Sequence, residues 1–268
     1  MKKRLVFDVV FAICFLVVST AGQIMSNPAQ WYINNQIYST RVFNGVVANS
    51  MLRKGANSNR TRQNSAGQTN KATIDYTAFR AAPNNSLPKQ LSAKSANRSE
   101  TEQILNSFVS LYKQTAQKDG FPANDLAYAF EYFVVNNYQI YHDLVELPAD
   151  KDPRARRAKD GLERIRILNE KKLRQVSIGQ ERMIYNQFRE VLAANADIQK
   201  MTDAQKQEAS ELLAIIFGVN FAGYMKGVGD GDEQLTEQAR QLAKEGLEKL
   251  LGVSVAQIKI TNNGLELP

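Results

Sequence analysis

The stretch PANDLAYAFEYFVVNNYQIYHDLVELP, residues 122–148, decides the class of fold. Pro122 to Asp125 restart the chain after Asp119-Gly120. Leu126, Phe130, Phe133, Val134, Tyr141, Leu144 and Val145 then recur at helical spacing as far as Leu147-Pro148. This segment is apolar on nearly every side, so it is expected to be the central, most enclosed helix of an all-α bundle.

Working outward, the remaining helices announce themselves by their starts and stops. Ser99 and Glu102 have the spacing of a capping box, followed by Ile104, Leu105, Phe108, Leu111 and Tyr112 on one face until Gly120. Asp152-Pro153 opens a strongly charged helix, for which the periodicity places Leu162, Ile165, Leu168 and Leu173 on a buried side. Its acid-first pairs Asp152/Arg156, Asp160/Arg164 and Glu170/Arg174 read as a solvated face.

Ser177/Gln180 and Thr202/Gln205 are two further capping boxes. The second leads into LLAIIFGVNFAGYM, residues 212–225, whose fourteen residues suit a buried core helix better than a bilayer span of roughly 20. Gly227 to Gly231 reads as a glycine-rich inter-helix turn. A last helix carries Leu235, Leu242, Leu247, Leu250 and Leu251 and ends at Gly252. Beyond it, Ile258 and Ile260 alternate with polar residues before Asn263-Gly264, which suggests a small hairpin. The expectation is an irregular bundle of about six helices, residues 99–268, with a short strand-like C-terminal tail.

The N-terminal part differs in kind. Lys2, Lys3 and Arg4 precede the apolar run Val9–Val18 and the small residues Ser19 to Gly22, the pattern of a cleaved secretory signal over residues 1–22. Cys14 would leave with it. Residues 23–98 read as a basic, largely disordered segment. Arg53 to Lys71 is a linker without large apolar residues, while Tyr76, Phe79, Leu87 and Leu91 are expected to dock an extended strap onto the following domain. The mature chain would contain no integral membrane span, and its destination is periplasmic or secreted.

Charge is partitioned along these boundaries. The chain of 268 residues carries a formal net charge of +7, but residues 22–98 hold +9 and residues 99–268 hold −4, within which residues 151–176 hold +6. An anionic partner, either the envelope surface or a polyanion, would therefore be met through the basic N-terminal segment.

One Cys and one His exclude a disulfide, a zinc centre and an iron–sulfur cluster, and no cofactor-binding, metal-binding or catalytic set is assigned. Gly227 to Asp232 fits neither a dinucleotide fingerprint nor a calcium loop, since Asp232 stands at the third glycine position of the first. Leu235 and Gln241 stand at positions six and twelve of the second. The group with any chemical content is Glu131 with Tyr128, Tyr132, Asn136, Asn137, Tyr138, Tyr141, His142 and Asp143. A carboxylate and an imidazole buried together could exchange protons, whereas tyrosines on a core helix ordinarily bury their rings.

DYTAFRAAP (75–83), GFPANDLAYAFEYFVVNNYQIYH (120–142) and LLGVSVAQIKITNNGLEL (250–267) resemble a family of uncharacterised exported bacterial helical proteins of unknown function. The resemblance covers roughly residues 75–268. It implies an all-helical domain with an envelope or secreted location, and it brings no activity, catalytic residue or ligand. The reading is an exported, non-enzymatic binding or scaffolding domain of the bacterial cell envelope; the alternative is a carboxylate-based hydrolase with Glu131 as acid/base.

Overall fold

Helices dominate the computed structural model, which describes residues 75–82, 86–93, 95 and 97–268. The expected signal at 1–22, the basic stretch at 23–74 and the Arg53–Lys71 linker lie outside the described residues. In chain order the helices are α1 (Leu87–Ser92), α2 (Arg98–Asp119), α3 (Leu126–Tyr141), α4 (Pro153–Arg156), α5 (Gly161–Arg174), α6 (Ile178–Ala193), α7 (Ala196–Lys200), α8 (Asp203–Asp230) and α9 (Glu233–Leu251). A single 3-10 turn (Val255–Gln257) and the strands β1 (Lys259–Thr261) and β2 (Gly264–Glu266) complete them. Six of the helices are 14 residues or longer, and five of these, α2, α3, α6, α8 and α9, make the bundle, while α5 packs mainly on α4.

The centre is α3, enclosed by α6, α8 and α9. It starts where Asp125 accepts the backbone N–H of Ala127 at 2.8 Å, and it ends at His142. Leu126, Ala127, Tyr128, Phe130, Tyr132, Phe133, Val134, Val135 and Ile140 are all buried, so the helix that reads as apolar all round is enclosed all round. Rings from neighbouring helices complete the packing. Tyr112 of α2 stacks on Tyr128 and meets Tyr132 edge-on, both at 5.2 Å, and Phe217 of α8 meets Tyr132 edge-on at 5.0 Å.

The second enclosed element is α8, begun by the capping box of Thr202 and Gln205. Its 28 residues are long and apolar enough to cross a membrane, yet 78% of the most apolar window is buried inside the protein. The turn expected at Gly227 to Gly231 is corrected: the helix runs through Gly227 and Gly229 to Asp230, and only Gly231 takes the left-handed conformation that ends it. Glycines inside a helix cost about 1 kcal/mol each. Close packing offsets that cost here, because a Cβ on Gly227 would lie 2.6 Å from the backbone nitrogen and hydroxyl of Thr236 in α9.

The strap docks, but it is not extended throughout as expected: Leu87–Ser92 coils into α1, and Tyr76 and Leu91 are only half-buried. Phe79 donates its N–H to Asn124 O and Leu126 donates to Thr77 O, while Phe79 and Leu87 are buried. Gln207 and Glu211 of α8 hold it further along, accepting the N–H groups of Ala82 at 2.8 Å and Leu87 at 2.9 Å. The cap expected from Ser99 and Glu102 is not the one formed; α2 begins at Arg98 with Asn97 as its flanking residue. The C-terminal hairpin is present, with Ile260 opposite Leu265, and Gln187 of α6 accepts the N–H of Leu265 at 2.8 Å.

The charged helix expected from Asp152 is instead two helices, α4 and α5, and its face is inverted. Leu162, Ile165 and Leu173 point into water and Leu168 is half-buried, while the fully buried residue of α5 is Lys171. The cause is the ion pair between Lys171 and Asp152, both enclosed, which anchors α5 by the side opposite its leucines. Asp152 also accepts the N–H groups of Arg154 and Ala155, both at 2.9 Å. Burial would raise its carboxyl, but the hydrogen bond from Lys171, those backbone donors and the lysine charge outweigh burial and hold it below the usual range.

Two outcomes follow for stability. Gly218→Ala would gain about 1 kcal/mol of helix propensity. The new methyl would also enter the Phe108 side chain of α2, so a net loss of about 1–3 kcal/mol is expected in urea unfolding. Lys171→Ala leaves the Asp152 carboxylate enclosed without its cation. It should cost about 3 kcal/mol, read as lost amide exchange protection across residues 161–174 ahead of any loss in α3 and α8.

Candidate functional site

Of the residues singled out on the aromatic helix, Glu131 is the buried carboxyl. Its side chain sits on the enclosed first half of α3 with 3% exposure. Burial, then the nearby charges of Glu181 and Asp119, push its carboxyl well above the ordinary range. Glu181 stands on α6, whose start is fixed by the Ser177/Gln180 capping box. Burial and then Asp119 push its carboxyl up to about 7, against a smaller opposing effect of Lys118. Two helices thus bring together carboxyls that cannot both ionise at low cost.

The tyrosines around them are built as ring packing. Tyr112 donates to Ala123 O at 2.9 Å, and its ring lies between those of Tyr128 and Tyr132. Phe121 stacks on Tyr128 at 5.0 Å. Burial first, and then the neighbouring acids, raise the phenols of Tyr112 and Tyr128 far above their usual value, so both stay protonated.

His142 does not join Glu131. It closes α3 eleven residues later, about 16 Å along the axis, with Tyr138 at 4.3 Å and Tyr141 at 4.8 Å between ring centres. Burial and then Arg174 lower its pKa, against a smaller raising effect of Asp143, so the ring is neutral; its Nε2 is buried without a hydrogen-bond partner. Asp143 takes a left-handed backbone (φ 53°) and accepts from Tyr224 of α8 at 3.2 Å and Arg240 of α9 at 2.5 Å. Asn137 accepts from Asn220 of α8 at 3.0 Å, and Asn136 bonds back to Tyr132 O at 2.7 Å. The structure therefore divides the sequence-predicted group into a carboxyl pair at one end of α3, an Asn–Asn bridge in the middle, and a His–Asp–Arg end.

Reasoning along the sequence missed Glu181, and it missed a fourth polar group, around the start of α3. There the Asp125 carboxylate accepts from Tyr185 at 2.7 Å, and Arg189 reaches Asp75 at 2.8 Å and Asp125 at 3.9 Å. Burial would raise the Asp75 carboxyl, but donors from Thr77 and Ala78, with the charge of Arg189, hold it low. The only local signals were helix caps: Asp125 and Ser177 read as starts of helices, not as members of a cluster. Among the described residues, no three His, Cys, Asp or Glu side chains converge as metal ligands would.

What this geometry can do chemically is keep the enclosed Glu131 carboxyl and its neighbour Glu181 raised in pKa, tie helices together by polar bridges, and bury aromatic rings. It defines a helical protein with a sealed aromatic centre. The chain belongs to the family of unknown function DUF6683, whose model matches residues 1–159 and 175–268. No curated protein and no solved structure matches it.

Because Glu181 titrates near 7 in the folded protein, the native state binds more protons than the unfolded chain from about pH 4.5 up to about 7, and the raised carboxyl of Glu131 acts in the same direction. Stability from these groups is fully present below that window and is lost as pH rises through it. Glu181→Gln, neutral at every pH, is expected to flatten the decline and to add about 2 kcal/mol at about pH 8, measured by urea unfolding across the range.

Proposed function

We propose that this is an exported, non-enzymatic helical domain that binds or scaffolds a component of the bacterial cell envelope. The observation that carries the reading is the commitment of the reactive side chains to the interior: Glu131 is enclosed, Tyr112 and Tyr128 are held protonated, and Asp125, Asp143 and Asp152 each hold helices or straps together. A domain whose polar chemistry is used for its own architecture acts through its surface. The N-terminal pattern of Lys2, Lys3, Arg4 and the apolar run Val9–Val18 supports export.

The raised carboxyls of Glu131 and Glu181 favour a second reading, a hydrolase with Glu131 as acid/base. The enclosure of Glu131 weighs against it, because a general acid must reach the bond it protonates. Expression with and without residues 1–22 in a bacterial host tests the first reading. The full chain should appear in the envelope or medium and the truncated chain in the cytoplasm, and retention of both inside the cell would overturn export. Purified protein should show no turnover in a hydrolase panel; turnover abolished by Glu131→Gln would install the second reading.

A further inference from the structure

The five exposed large apolar side chains among the described residues, Leu162, Ile165, Leu173, Ile178 and Met183, all fall between residues 162 and 183, and three are on α5. Leu162 is 80% exposed, Ile165 57% and Leu173 86%. At about 100° per residue these three share an arc of roughly 80°, a ridge about 16 Å long. The exposed Asn169 lies within the same arc, Arg166 and Lys172, both exposed, flank it, with Arg166 3.9 Å from the carboxylate of Glu170, and Lys171 anchors the opposite side to Asp152. None of the α5 residues belongs to the hydrophobic core or packs against it, and the principal neighbour of α5 is the short α4. The family model's match leaves out residues 160–174, which are α5 and its cap.

Charge selects what covers such a ridge. Residues 151–176 hold +6, which repels the same face of a second copy and also the N-terminal segment of this chain, residues 22–98, at +9. The occupant is anionic as well as apolar. A leucine ridge standing out from the body between cationic side chains, with its polar anchor beneath, has the form of a helix that lies in a membrane interface. We infer that α5 is a lipid-docking element that seats Leu162, Ile165 and Leu173 among the acyl chains of an anionic membrane surface while Arg166 and Lys172 meet its headgroups. The inference deepens the envelope reading above by naming the component bound, and it rests on that reading for its location.

The full chain carrying Cys14→Ser and Ile165→Cys, labelled at residue 165 with an environment-sensitive dye, reports on this element alone. With vesicles of phosphatidylglycerol and phosphatidylcholine, the emission should shift to the blue and be quenched by brominated acyl chains. With phosphatidylcholine alone it should not, and adding Leu162→Gln and Leu173→Gln should weaken the anionic response about tenfold or more. Arg166→Gln with Lys172→Gln should weaken it too and reduce its salt dependence. Three results would overturn the inference. One is a dye that stays in water on vesicles that have bound the chain. Another is an equal response to neutral vesicles. The third is a blue shift that grows with protein concentration without lipid, which would assign the ridge to a protein contact. A dye that enters lipid in a chain that is not exported would instead refute the location and leave the docking intact.

Discussion

A helix that is apolar on every side exists in water only when other elements enclose it, and α3 imposes that condition on the rest of this protein. The neighbours α6, α8 and α9 each turn an apolar face toward it, and α2 contributes the Tyr112 ring that stacks on Tyr128. Enclosure also has a polar cost: the backbone groups at the start of α3 and the side chains along it lose water and must be satisfied inside. Asp125 caps the helix and accepts from Tyr185, Thr77 accepts from Leu126, and Asn137 pairs with Asn220. The strap is held against the bundle because it completes this accounting.

The same condition explains the state of Glu131. Burial on the enclosed face of a central helix disfavours the charge of a carboxylate and raises its pKa, and Glu181 from the facing helix shares the effect. Interior polarity here links elements: α3 to α6 through the strap cluster and the carboxyls, α3 to α8 through the asparagines, and the end of α3 to α8 and α9 through Asp143. α5 follows the opposite logic. Its buried contact is an ion pair, and its apolar residues are left to the surface.

Much of the fold was legible along the chain. The central place of 126–141, the caps at Asp152, Ser177 and Thr202, the left-handed stops at Gly120 and Gly252, the presence of the C-terminal hairpin, whose turn falls at Asn262-Asn263, one residue earlier than expected, and the docking of Phe79 and Leu87 all rest on local spacing or local backbone chemistry. The turn expected at Gly227 to Gly231 was not found. Glycine reads locally as a breaker, but Gly227 is a contact residue for α9, and that contact depends on a helix yet to come in the chain. The site was legible only in part: Glu131 stood out on an apolar face, whereas Glu181 is fifty residues away with an ordinary helical neighbourhood.

By itself, the sequence determined that this is a helical bundle with a basic N-terminal segment and an enclosed aromatic helix, because helical period, capping chemistry and charge runs act over a few residues. Only the tertiary structure decided which faces found partners. A stripe of Leu162, Ile165 and Leu173 has the same period whether it meets a core or water, and the enclosed Lys171–Asp152 pair, joining residues nineteen positions apart, turned it outward. Periodicity states that a face is apolar; the position of every other helix states what, if anything, covers it.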